Sequence, residues 1–440
     1  MTVAQKTEAL SPKLLKVMER VKRDPEVRFT SLAHLIDEDA LKRAYQRLRK
    51  NAAVGVDGIT KEQYGQGLDS NVNRLHQRLK TQRYRHQPIL RVHIPKERNK
   101  TRPIGISCIE DKLVQGAVKE VLQAVYEPIF RESSYGFRPH RRAHDALRAL
   151  DGALMRGEVN WILEADIQTF FDSLDRKKLM EMLRERIADK ALLRLIGKCL
   201  RAGILDGEEY SEPDEGTVQG SSLSPLLGNV YLHHVLDVWF EQQVAPQLRG
   251  KARLIRYCDD FVMMFQNEDE ARRVMVMLGQ RFEQYGLSMH PEKTRLLPFG
   301  RPSRGLLHGK GGATFDFLGF TVFWTRTRAK GWKPRMKTRK ARLRRAFVSV
   351  ADWCRRYRHQ PVKVQHAALK RRLQGHMNYF GVNGNIHSIV VLIEHARRTW
   401  RKWLGRRGQR HAMSWKRFED IERSYPLPTP RVCVQLWFAS

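Results

Sequence analysis

A pair of adjacent aspartates inside an apolar stretch is the feature that most constrains this chain. The stretch reads Leu254-Ile255-Arg256-Tyr257-Cys258-Asp259-Asp260-Phe261-Val262-Met263-Met264-Phe265. The β-branched and aromatic residues on both sides predict two short strands with the aspartates at a tight turn. One interpretation is an ordinary surface turn, in which Asp is common. The other is a turn that aims two carboxylates into a cleft, where repulsion and lost solvation require a strong cation such as Mg²⁺.

A second apolar run ends in a carboxylate of the same kind. It reads Trp161-Ile162-Leu163-Glu164-Ala165-Asp166-Ile167-Gln168-Thr169-Phe170-Phe171-Asp172. Carboxylates from two converging strands can hold two metal ions roughly 3.5–4 Å apart, an arrangement that polymerases and nucleases use. One ion would lower the pKa of a primer 3′-hydroxyl, and both would stabilise the displacement of pyrophosphate. Taken alone, Asp166 has a helix N-cap after a strand as the alternative interpretation.

The charge balance points to a polyanionic partner. The 440 residues include 81 Lys and Arg against 47 Asp and Glu, a formal charge of +34. Nucleic acid is the first candidate, with ribosomal-type and membrane-surface binders as alternatives. A hydrophobic content of 41%, with 9 Trp and 18 Phe, indicates folded cores. No apolar run reaches the roughly 18 residues of a spanning helix, so no membrane partner is expected. Five scattered cysteines without a CxxC pair, and no signal-peptide pattern, predict a cytoplasmic protein.

Seven segments, in one order, resemble the motifs of bacterial group II intron-encoded reverse transcriptases and maturases, and the resemblance runs over nearly the whole chain. They are Arg102-Pro103-Ile104-Gly105-Ile106, Ser134-Tyr135-Gly136-Phe137-Arg138-Pro139, the Asp166 segment, Gly216-Thr217-Val218-Gln219-Gly220-Ser221-Ser222-Leu223-Ser224-Pro225-Leu226-Leu227, Tyr257 to Asp260, Gly286-Leu287-Ser288-Met289-His290-Pro291-Glu292-Lys293-Thr294, and Phe317-Leu318-Gly319-Phe320. Two departures are Cys258 where the family usually has Ala and Val218 where it usually has Pro.

The resemblance implies an α+β fold shaped as a right-hand polymerase. Residues 1–60 would be an N-terminal extension, and 61–325 the fingers and an RRM-like antiparallel palm. Residues 326–440 would be an all-α thumb, or maturase X domain, with a short C-terminal tail. Composition agrees, since 326–372 holds 18 Lys and Arg and one acid, Asp352. Earlier in the chain, helices are predicted over 175–200 and 224–238, with a loop from Asp206 to Gly216 between them, and in the basic part helical patterns begin at 340, 364, 386 and 414. No HNH endonuclease domain is expected after them.

Further roles follow from the resemblance. Asp166, Asp259 and Asp260 would be catalytic and ligate two Mg²⁺ ions, with Mn²⁺ as a substitute and the Ile167 carbonyl as a further ligand. Lys293 would protonate the departing pyrophosphate or contact a phosphate. Lys96 and Arg102 would clamp the dNTP triphosphate. Phe171 would be the steric gate against the 2′-hydroxyl, with Phe170 as the alternative and a core aromatic as the other interpretation.

Three smaller predictions complete the site. Gln219 would contact the nucleotide sugar or the base-pair edge, or else belong to a simple turn that leads into a helix. Phe317, Leu318, Gly319 and Phe320 would form the primer grip, or else a plain core hairpin. A basic surface would bind RNA through Lys337, Arg339, Lys340, Arg344 and Arg345. Basic helix faces are usually only solvated, but here the charge is too one-sided for a compact bundle without a polyanion.

These roles together predict an RNA-directed DNA polymerase that also binds group II intron RNA and assists its splicing and retrohoming. Its partners would be the intron RNA, an RNA template with a DNA primer, a DNA target and dNTPs, and it would join the nucleoid when on DNA. Two alternatives stay open. One is a free-standing reverse transcriptase in DNA repair or phage defence, and the other is a non-enzymatic RNA chaperone with a decayed palm.

Overall fold

The structure, a computed structural model, describes residues 11–95, 101–212, 216–217, 220–302, 311–327, 331–408 and 413–437. Aspartates cap several helices, and Asp37, Asp175 and Asp189 each accept backbone N–H bonds at a helix start. The helices of these ranges are α1 (Pro12–Arg23), α2 (Glu38–Arg47), α3 (Lys61–Gly65), α4 (Leu68–Lys80), α5 (Ile109–Tyr126), α6 (Ala143–Arg156), α7 (Arg176–Arg186), α8 (Lys190–Leu200), α9 (Ser224–Leu232), α10 (Glu268–Gln284), α11 (Lys340–Arg356), α12 (Val362–Phe380), α13 (Ile386–Leu404) and α14 (Trp415–Ser424).

The described strands form three sheets, and most neighbouring strands run antiparallel. One sheet has the order β2-β1-β4-β5, the second β6-β7-β3-β8, and the third β11-β10-β9. Their bounds are β1 (Ile89–Pro95), β2 (Thr101–Ile106), β3 (Trp161–Asp166), β4 (Ile204–Asp206), β5 (Glu209–Ser211), β6 (Ala252–Tyr257), β7 (Asp260–Phe265), β8 (Arg295–Pro298), β9 (Gly311–Phe317), β10 (Phe320–Arg326) and β11 (Trp332–Thr338).

The β6-β7-β3-β8 sheet lies at the centre of the molecule with a hydrophobic core on each face. Successive side chains of a strand point to opposite faces. Leu163 and Met263 therefore join one core, with α5, α7, α9 and α10. Ile162 and Met264 join the other, with α6 and the β11-β10-β9 sheet. Because both faces are covered, the strands are mostly apolar, with Glu164 in β3 and Arg253 and Arg256 in β6 as charged exceptions.

Three boundaries differ from the sequence-based expectations. The chain from 175 to 200 is two helices, because Asp189 interrupts it and caps α8. The helix expected over 224–238 ends at Leu232 and continues as π-helical turns, His233–Asp237 and Trp239–Val244. The loop expected from Asp206 onward contains the short strand β5.

The region expected to be entirely helical from residue 326 begins instead with a strand. In β11, Trp332, Pro334, Met336 and Thr338 are buried and alternate with more exposed residues, among them Lys337. The prediction of an all-α module from 326 was therefore wrong at its start, since the basic residues on the outer face masked a period of two. Helices begin at Lys340 and enclose their own core around Leu369, Leu392 and Trp400.

The chain returns to the central part after the last helix. Val434 pairs with Val382, and the carbonyl oxygen of Gln435 accepts a bond from Arg148 Nε at 3.0 Å. Leu436 is buried in the core that α6 shares with the β11-β10-β9 sheet. Among the helices of the described ranges, none combines the length and the apolarity that crossing a bilayer requires.

Candidate active site

The two central aspartates lie at a two-residue turn between β6 and β7. Tyr257 is paired with Asp260 across the hairpin, which leaves Cys258 and Asp259 as the turn. Cys258 has a φ of 60°, a left-handed conformation that is uncommon outside glycine and carries a cost in conformational energy. The strand–turn–strand prediction is confirmed.

Asp166 lies at the same edge of the sheet. It is the last residue of β3 and is paired with Asp260 of β7. The alternative role of Asp166 as a helix N-cap is wrong, because the next helix begins at Arg176 and Asp175 caps it. Two strands therefore bring the three predicted carboxylates to one end of one sheet.

The carboxylates are crowded and poorly solvated. Burial, followed by the negative charge of Asp259, raises the pKa of Asp260 to about 7. Burial also raises the pKa of Asp259, and the nearby charge of Asp166 acts in the same direction. Both shifts show that ionising these groups together is costly, and a cation bound among them would offset that cost. The backbone N–H of Leu318 donates to Asp260 Oδ2 at 3.4 Å.

Lys293 lies next to the carboxylates and forms an ion pair with one of them. Its ammonium donates to Asp166 Oδ2 in an ion pair. Ile167 and Met289 form an antiparallel β-bridge next to Asp166. Its two hydrogen bonds run from the Gln168 N–H to the Ser288 carbonyl oxygen and from the His290 N–H to the Asp166 carbonyl oxygen, so the Ile167 carbonyl takes no part in the bridge. In the part of the chain that the structure describes, no three His, Cys, Asp or Glu side chains form a ready-made metal cage. The carboxylate oxygens are nevertheless the donors that a hard divalent cation prefers.

The two neighbouring phenylalanines divide into one core ring and one partly exposed ring. Phe170 is 2% exposed and belongs to the core under the sheet, whereas Phe171 is only partly buried. Their ring centroids are 5.1 Å apart. Gly228 makes room for both, since a Cβ there would lie 2.9 Å from the Phe170 ring. The core-aromatic interpretation fits Phe170, and Phe171 is the ring available to a ligand.

The described ends of the segment between Gly216 and Gly220 contact Phe171 on one side and strand β2 on the other. The backbone N–H of Thr217 donates to the Phe171 carbonyl oxygen at 2.6 Å. At the other end of the loop, a Cβ on Gly220 would lie 2.3 Å from the Gly105 carbonyl oxygen of β2, so only glycine fits. The next residue, Ser221, is held by a further hydrogen bond, in which its Oγ donates to Gln115 Oε1 of α5 at 3.1 Å.

Arg102 lies on β2 within electrostatic reach of the carboxylates. Its positive charge lowers the pKa values of Asp259 and Asp172, although burial raises both pKa values by more. Its side chain is exposed. Lys96 and Gln219, the other two polar groups predicted to bind the nucleotide, lie outside the described residues.

The hairpin predicted to be the primer grip presents its turn, not its rings, to the site. Phe317 is 1% exposed and Phe320 is fully buried. Between them, Leu318 and Gly319 form a left-handed turn with φ values of 50° and 81°. Tyr379 Oη of α12 donates to the Leu318 carbonyl oxygen at 2.9 Å. Any primer contact at this hairpin therefore falls to Leu318 and Gly319.

The five residues predicted to bind RNA are all exposed, and they lie where β11 passes into α11. Arg339 pairs with Asp316 at 2.9 Å, and the Lys337 ammonium lies 5.0 Å from the ring centroid of Phe323. The first turn of α11 contains no acid. Cations there face the positive end of the helix dipole, which is unfavourable unless an anion neutralises them.

Sequence reasoning gave no role to Gly136, although it quoted the segment around it. A Cβ at Gly136 would lie 2.4 Å from the backbone nitrogen of Cys258, so this glycine packs directly against the aspartate turn. The sequence-based predictions also gave no role to Arg256, which is fully buried beside the turn. The available signal was a charged residue inside an otherwise apolar strand, since a buried charge needs partners.

Comparisons with known proteins agree with this geometry. A family described as reverse transcriptase (RNA-dependent DNA polymerase) matches residues 94–322. The group II intron-encoded protein LtrA of Lactococcus lactis subsp. cremoris is 32% identical over 274 residues, which cover 59% of this chain and 45% of LtrA. Protein YkfC of Escherichia coli is 33% identical over 242 residues, which cover 53% of this chain and 62% of YkfC.

A third relative is an uncharacterized 91 kDa protein in the cob intron of Schizosaccharomyces pombe, 37% identical over 208 residues, 47% of this chain and 25% of that protein. The chain thus spans less than two thirds of the length of each of these curated relatives. The family match covers more than half of the 440 residues and includes every predicted catalytic residue. The chain therefore belongs to the reverse transcriptase (RNA-dependent DNA polymerase) family, as its motifs predict, and resembles the members that group II introns encode.

Proposed function

We propose that this protein is an RNA-directed DNA polymerase that adds deoxynucleotides to a primer 3′-hydroxyl. The observation that carries the proposal is the pairing of Asp166 with Asp260 beside the turn that holds Asp259. Three crowded carboxylates of like charge at one sheet edge, two of them with raised pKa values, suit divalent cations. Membership of the reverse transcriptase family, whose members generally use divalent metal ions, supports the same chemistry.

Asp166, Asp259 and Asp260 would hold two Mg²⁺ ions, with the Ile167 carbonyl as a further ligand. When bound, such ions activate the primer hydroxyl and neutralise charge on the reacting phosphates. Lys293, which pairs with Asp166 in this structure, would then be released toward the pyrophosphate side of the site. There its ammonium would donate a proton or contact a phosphate.

The nucleotide would lie between Phe171 and the fingers. The partly exposed Phe171 ring would exclude a 2′-hydroxyl and so favour deoxynucleotides. Arg102 would contact the triphosphate, because its guanidinium is a bidentate donor within electrostatic reach of the carboxylates. Lys96 and Gln219 remain predictions for the same nucleotide. Leu318 and Gly319 would contact the primer end.

We also propose that the junction of β11 and α11 binds structured RNA, which would be a group II intron RNA. The supporting observation is a run of exposed cations, including Lys337, Lys340 and Arg344, at the N-terminus of a 17-residue helix. Exposed backbone N–H groups and cations together form an anion site there. LtrA is named for its group II intron, and the fission yeast relative for the cob intron. Assistance in splicing and retrohoming follows as the biological role.

The test is primer extension on an RNA template with purified protein, Mg²⁺ and dNTPs. The Asp259→Ala/Asp260→Ala variant should make no product while retaining salt-sensitive RNA binding. A matched control, Asp69→Ala/Asp420→Ala, removes carboxylates that are 87% and 59% exposed and lie elsewhere. It should extend the primer like the wild type. Absence of synthesis by the wild type, with RNA binding intact, would move the function to RNA folding alone.

A further inference from the structure

The region behind the aspartate turn contains a fully buried ion pair. Arg256 ends its side chain against Asp237, with Nε–Oδ1 and Nη2–Oδ2 distances of 2.7 and 2.6 Å. Both side chains are 0% exposed. A guanidinium taken out of water is tolerated only when its donors are satisfied. The remaining donors of Arg256 therefore indicate what the pair is for.

Those donors lead to the turn itself. Nη1 donates to the carbonyl oxygen of Cys258 and to Asn229 Oδ1, each at 3.0 Å, and Nη2 donates to Ser134 Oγ at 2.7 Å. With the two bonds to Asp237, all five N–H groups of the guanidinium have an acceptor. The bond to Cys258 fixes the peptide between Cys258 and Asp259, next to the residue with the left-handed φ of 60°.

The backbone of Arg256 is fixed as well. Its N–H donates to the Ser133 carbonyl oxygen, and its carbonyl oxygen accepts from the Tyr135 N–H, each at 2.8 Å. The next residue of that segment is Gly136, which packs against Cys258 and whose carbonyl oxygen accepts from Asn229 Nδ2 at 2.7 Å. The segment at 133–136 and helix α9 thus grip the strand just before the turn.

A π-helical turn makes this geometry available. Asn229 and Asp237 are eight residues apart, and in a regular α-helix they would point about 80° apart. The π-helical turn His233–Asp237 lies between them and widens the helix. Both side chains consequently reach one guanidinium. Such turns are rare and occur often at functional sites.

We infer that Arg256 is a positioning residue for the catalytic carboxylates. Its guanidinium, oriented by Asp237, Asn229 and Ser134, holds the Cys258–Asp259 peptide so that Asp259 meets Asp166 at the sheet edge. This inference rests on the proposed polymerase function. The positioning role differs from a purely structural one, because it predicts that catalysis suffers even where the fold is retained.

The decisive variant replaces the pair by apolar residues of similar volume, Arg256→Met/Asp237→Leu. Such replacements of buried ion pairs are often neutral for stability. We expect the melting temperature and the Kd for primed template to stay close to the wild type. We expect kcat to fall about a hundredfold, the scale of a misplacement of about 1 Å. The Mg²⁺ concentration for half-maximal kcat should rise, because Asp259 is no longer held in place.

Two milder variants keep the test decisive if the double variant does not fold. Arg256→Lys retains the charge but loses the planar fork, and Ser134→Ala removes one acceptor with little change in volume. Both should lower kcat and raise the Mg²⁺ requirement, with Ser134→Ala the weaker of the two. A matched control is Arg43→Met/Glu120→Leu on α2 and α5, which removes the 2.9 Å ion pair of Arg43 with Glu120 together with the ion pair between Glu120 and Arg47, and should leave the Mg²⁺ dependence unchanged.

The outcomes separate the two proposals. A wild-type protein that makes no DNA contradicts the proposed function before any variant is compared. A wild type that makes DNA, together with folded variants whose kcat and Mg²⁺ requirement match it, overturns the positioning role alone. A loss of kcat that follows the loss of melting temperature across all the variants, the control included, also overturns it.

Discussion

Charged groups are arranged differently in two regions of the molecule. One is the sheet edge that carries the aspartates, with the ion pair behind it, and the other is the junction of β11 and α11. Behind the aspartate turn, charged groups are buried and matched, and Arg256 and Asp237 are each 0% exposed. At the junction, cations such as Lys340 and Arg344 lie on the surface. From 326 to 372 the chain has 18 Lys and Arg with Asp352 as the single acid. One region fixes a few charges in place, and the other spreads many over a surface.

The difference teaches what each region can do with a phosphate. Buried charges in a poorly solvated site act strongly at short range, so small displacements have large consequences. Exposed cations act through counterion release, which depends on their number and on salt more than on position. The two regions should therefore differ in how they respond to single substitutions and to ionic strength.

The largest expected effect is on the buried side of this comparison. Asp166→Asn keeps the volume of the side chain but removes its charge and the ion pair with Lys293. We expect primer extension to fall at least about a thousandfold, on the scale of losing a group that acts at the reacting atoms. RNA affinity should not change. Steady-state primer extension and filter binding measure the two quantities.

Glu164→Gln provides the matched control for Asp166→Asn. Glu164 lies two residues earlier on β3 and pairs with Arg295 at 2.7 Å, and its charge makes only a minor contribution to the raised pKa of Asp260. Its replacement should cost less than about tenfold in kcat, roughly 1.4 kcal/mol in the activation free energy. Equal losses for the two variants would mean that both carboxylates of this strand matter equally for catalysis, and that the position of Asp166 beside the turn gives it no special role.

The next effect tests the exposed side. In Lys337→Gln/Lys340→Gln/Arg344→Gln, three exposed cations are removed without touching the sheet edge. The slope of log affinity for structured RNA against log salt should become shallower by about 2, and Kd should rise roughly tenfold to hundredfold. Synthesis at saturating primed template should stay near the wild-type rate. Affinity measured across a salt series gives both values.

A control with the same change in charge is Lys177→Gln/Arg194→Gln/Arg273→Gln. These residues are exposed on α7, α8 and α10, far from the junction in sequence. If this control weakens RNA binding as much as the junction variant does, net charge alone carries the affinity. The junction would then have no distinct role, and the comparison between the two regions would lose its second half.

The two regions also differ in how far the sequence predicts them. Turn chemistry is local, so Asp259 and Asp260 between two apolar runs predict the hairpin, although the turn itself is Cys258 and Asp259, and Asp260 begins β7. Phe171 could be separated from Phe170 only by burial, which depends on helix α9 and on the room at Gly228. The network around Arg256 joins segments near 134, 229, 237 and 256. No local sequence pattern predicts contacts between segments so far apart. The single π-helical turn that allows them is also too short to give a recognisable pattern.

Composition predicts the basic surface but not its shape. The excess of Lys and Arg after residue 326 indicates a nucleic-acid partner, yet it conceals the strand β11. In that strand Trp332, Pro334 and Met336 are the buried positions, and the residues between them are mostly basic. A period of two over seven residues is a weak signal beside such a charge excess. The helix start at Lys340, by contrast, agrees with the helical pattern predicted from that residue.

A smaller effect tests the boundary between the core and the nucleotide site. Phe171→Ala removes a partly exposed ring and should raise the use of ribonucleotides relative to deoxynucleotides roughly tenfold to hundredfold. Phe170→Ala removes a ring that is 2% exposed and should instead lower the free energy of unfolding by about 3–5 kcal/mol. Single-nucleotide incorporation and urea unfolding distinguish them. Relaxed sugar selection in a folded Phe170→Ala would reverse the assignment.

The smallest effect concerns acid stability, and it arises from a half-buried histidine of the helical part. The His376 ring lies 4.6 Å from the ring of Phe380, and burial lowers the pKa of His376 to about 4. In the unfolded chain the His376 ring takes up a proton near pH 6.5, whereas in the folded state it stays neutral down to a lower pH. Its contribution to the free energy of unfolding is therefore fully present above pH 6.5. The folded state loses stability as the pH falls from 6.5 toward 4, by up to about 2 kcal/mol from this group.

His376→Gln should therefore flatten the fall in the free energy of unfolding between pH 7 and pH 4.5, measured by urea unfolding at each pH. His387→Gln is the control, since His387 is exposed on α13 of the same helical part and should leave the slope unchanged. His233, in the π-helical turn beside Arg256, also has a pKa lowered by burial. A slope untouched by His376→Gln would mean that other groups with lowered pKa values, such as His233, account for the acid sensitivity.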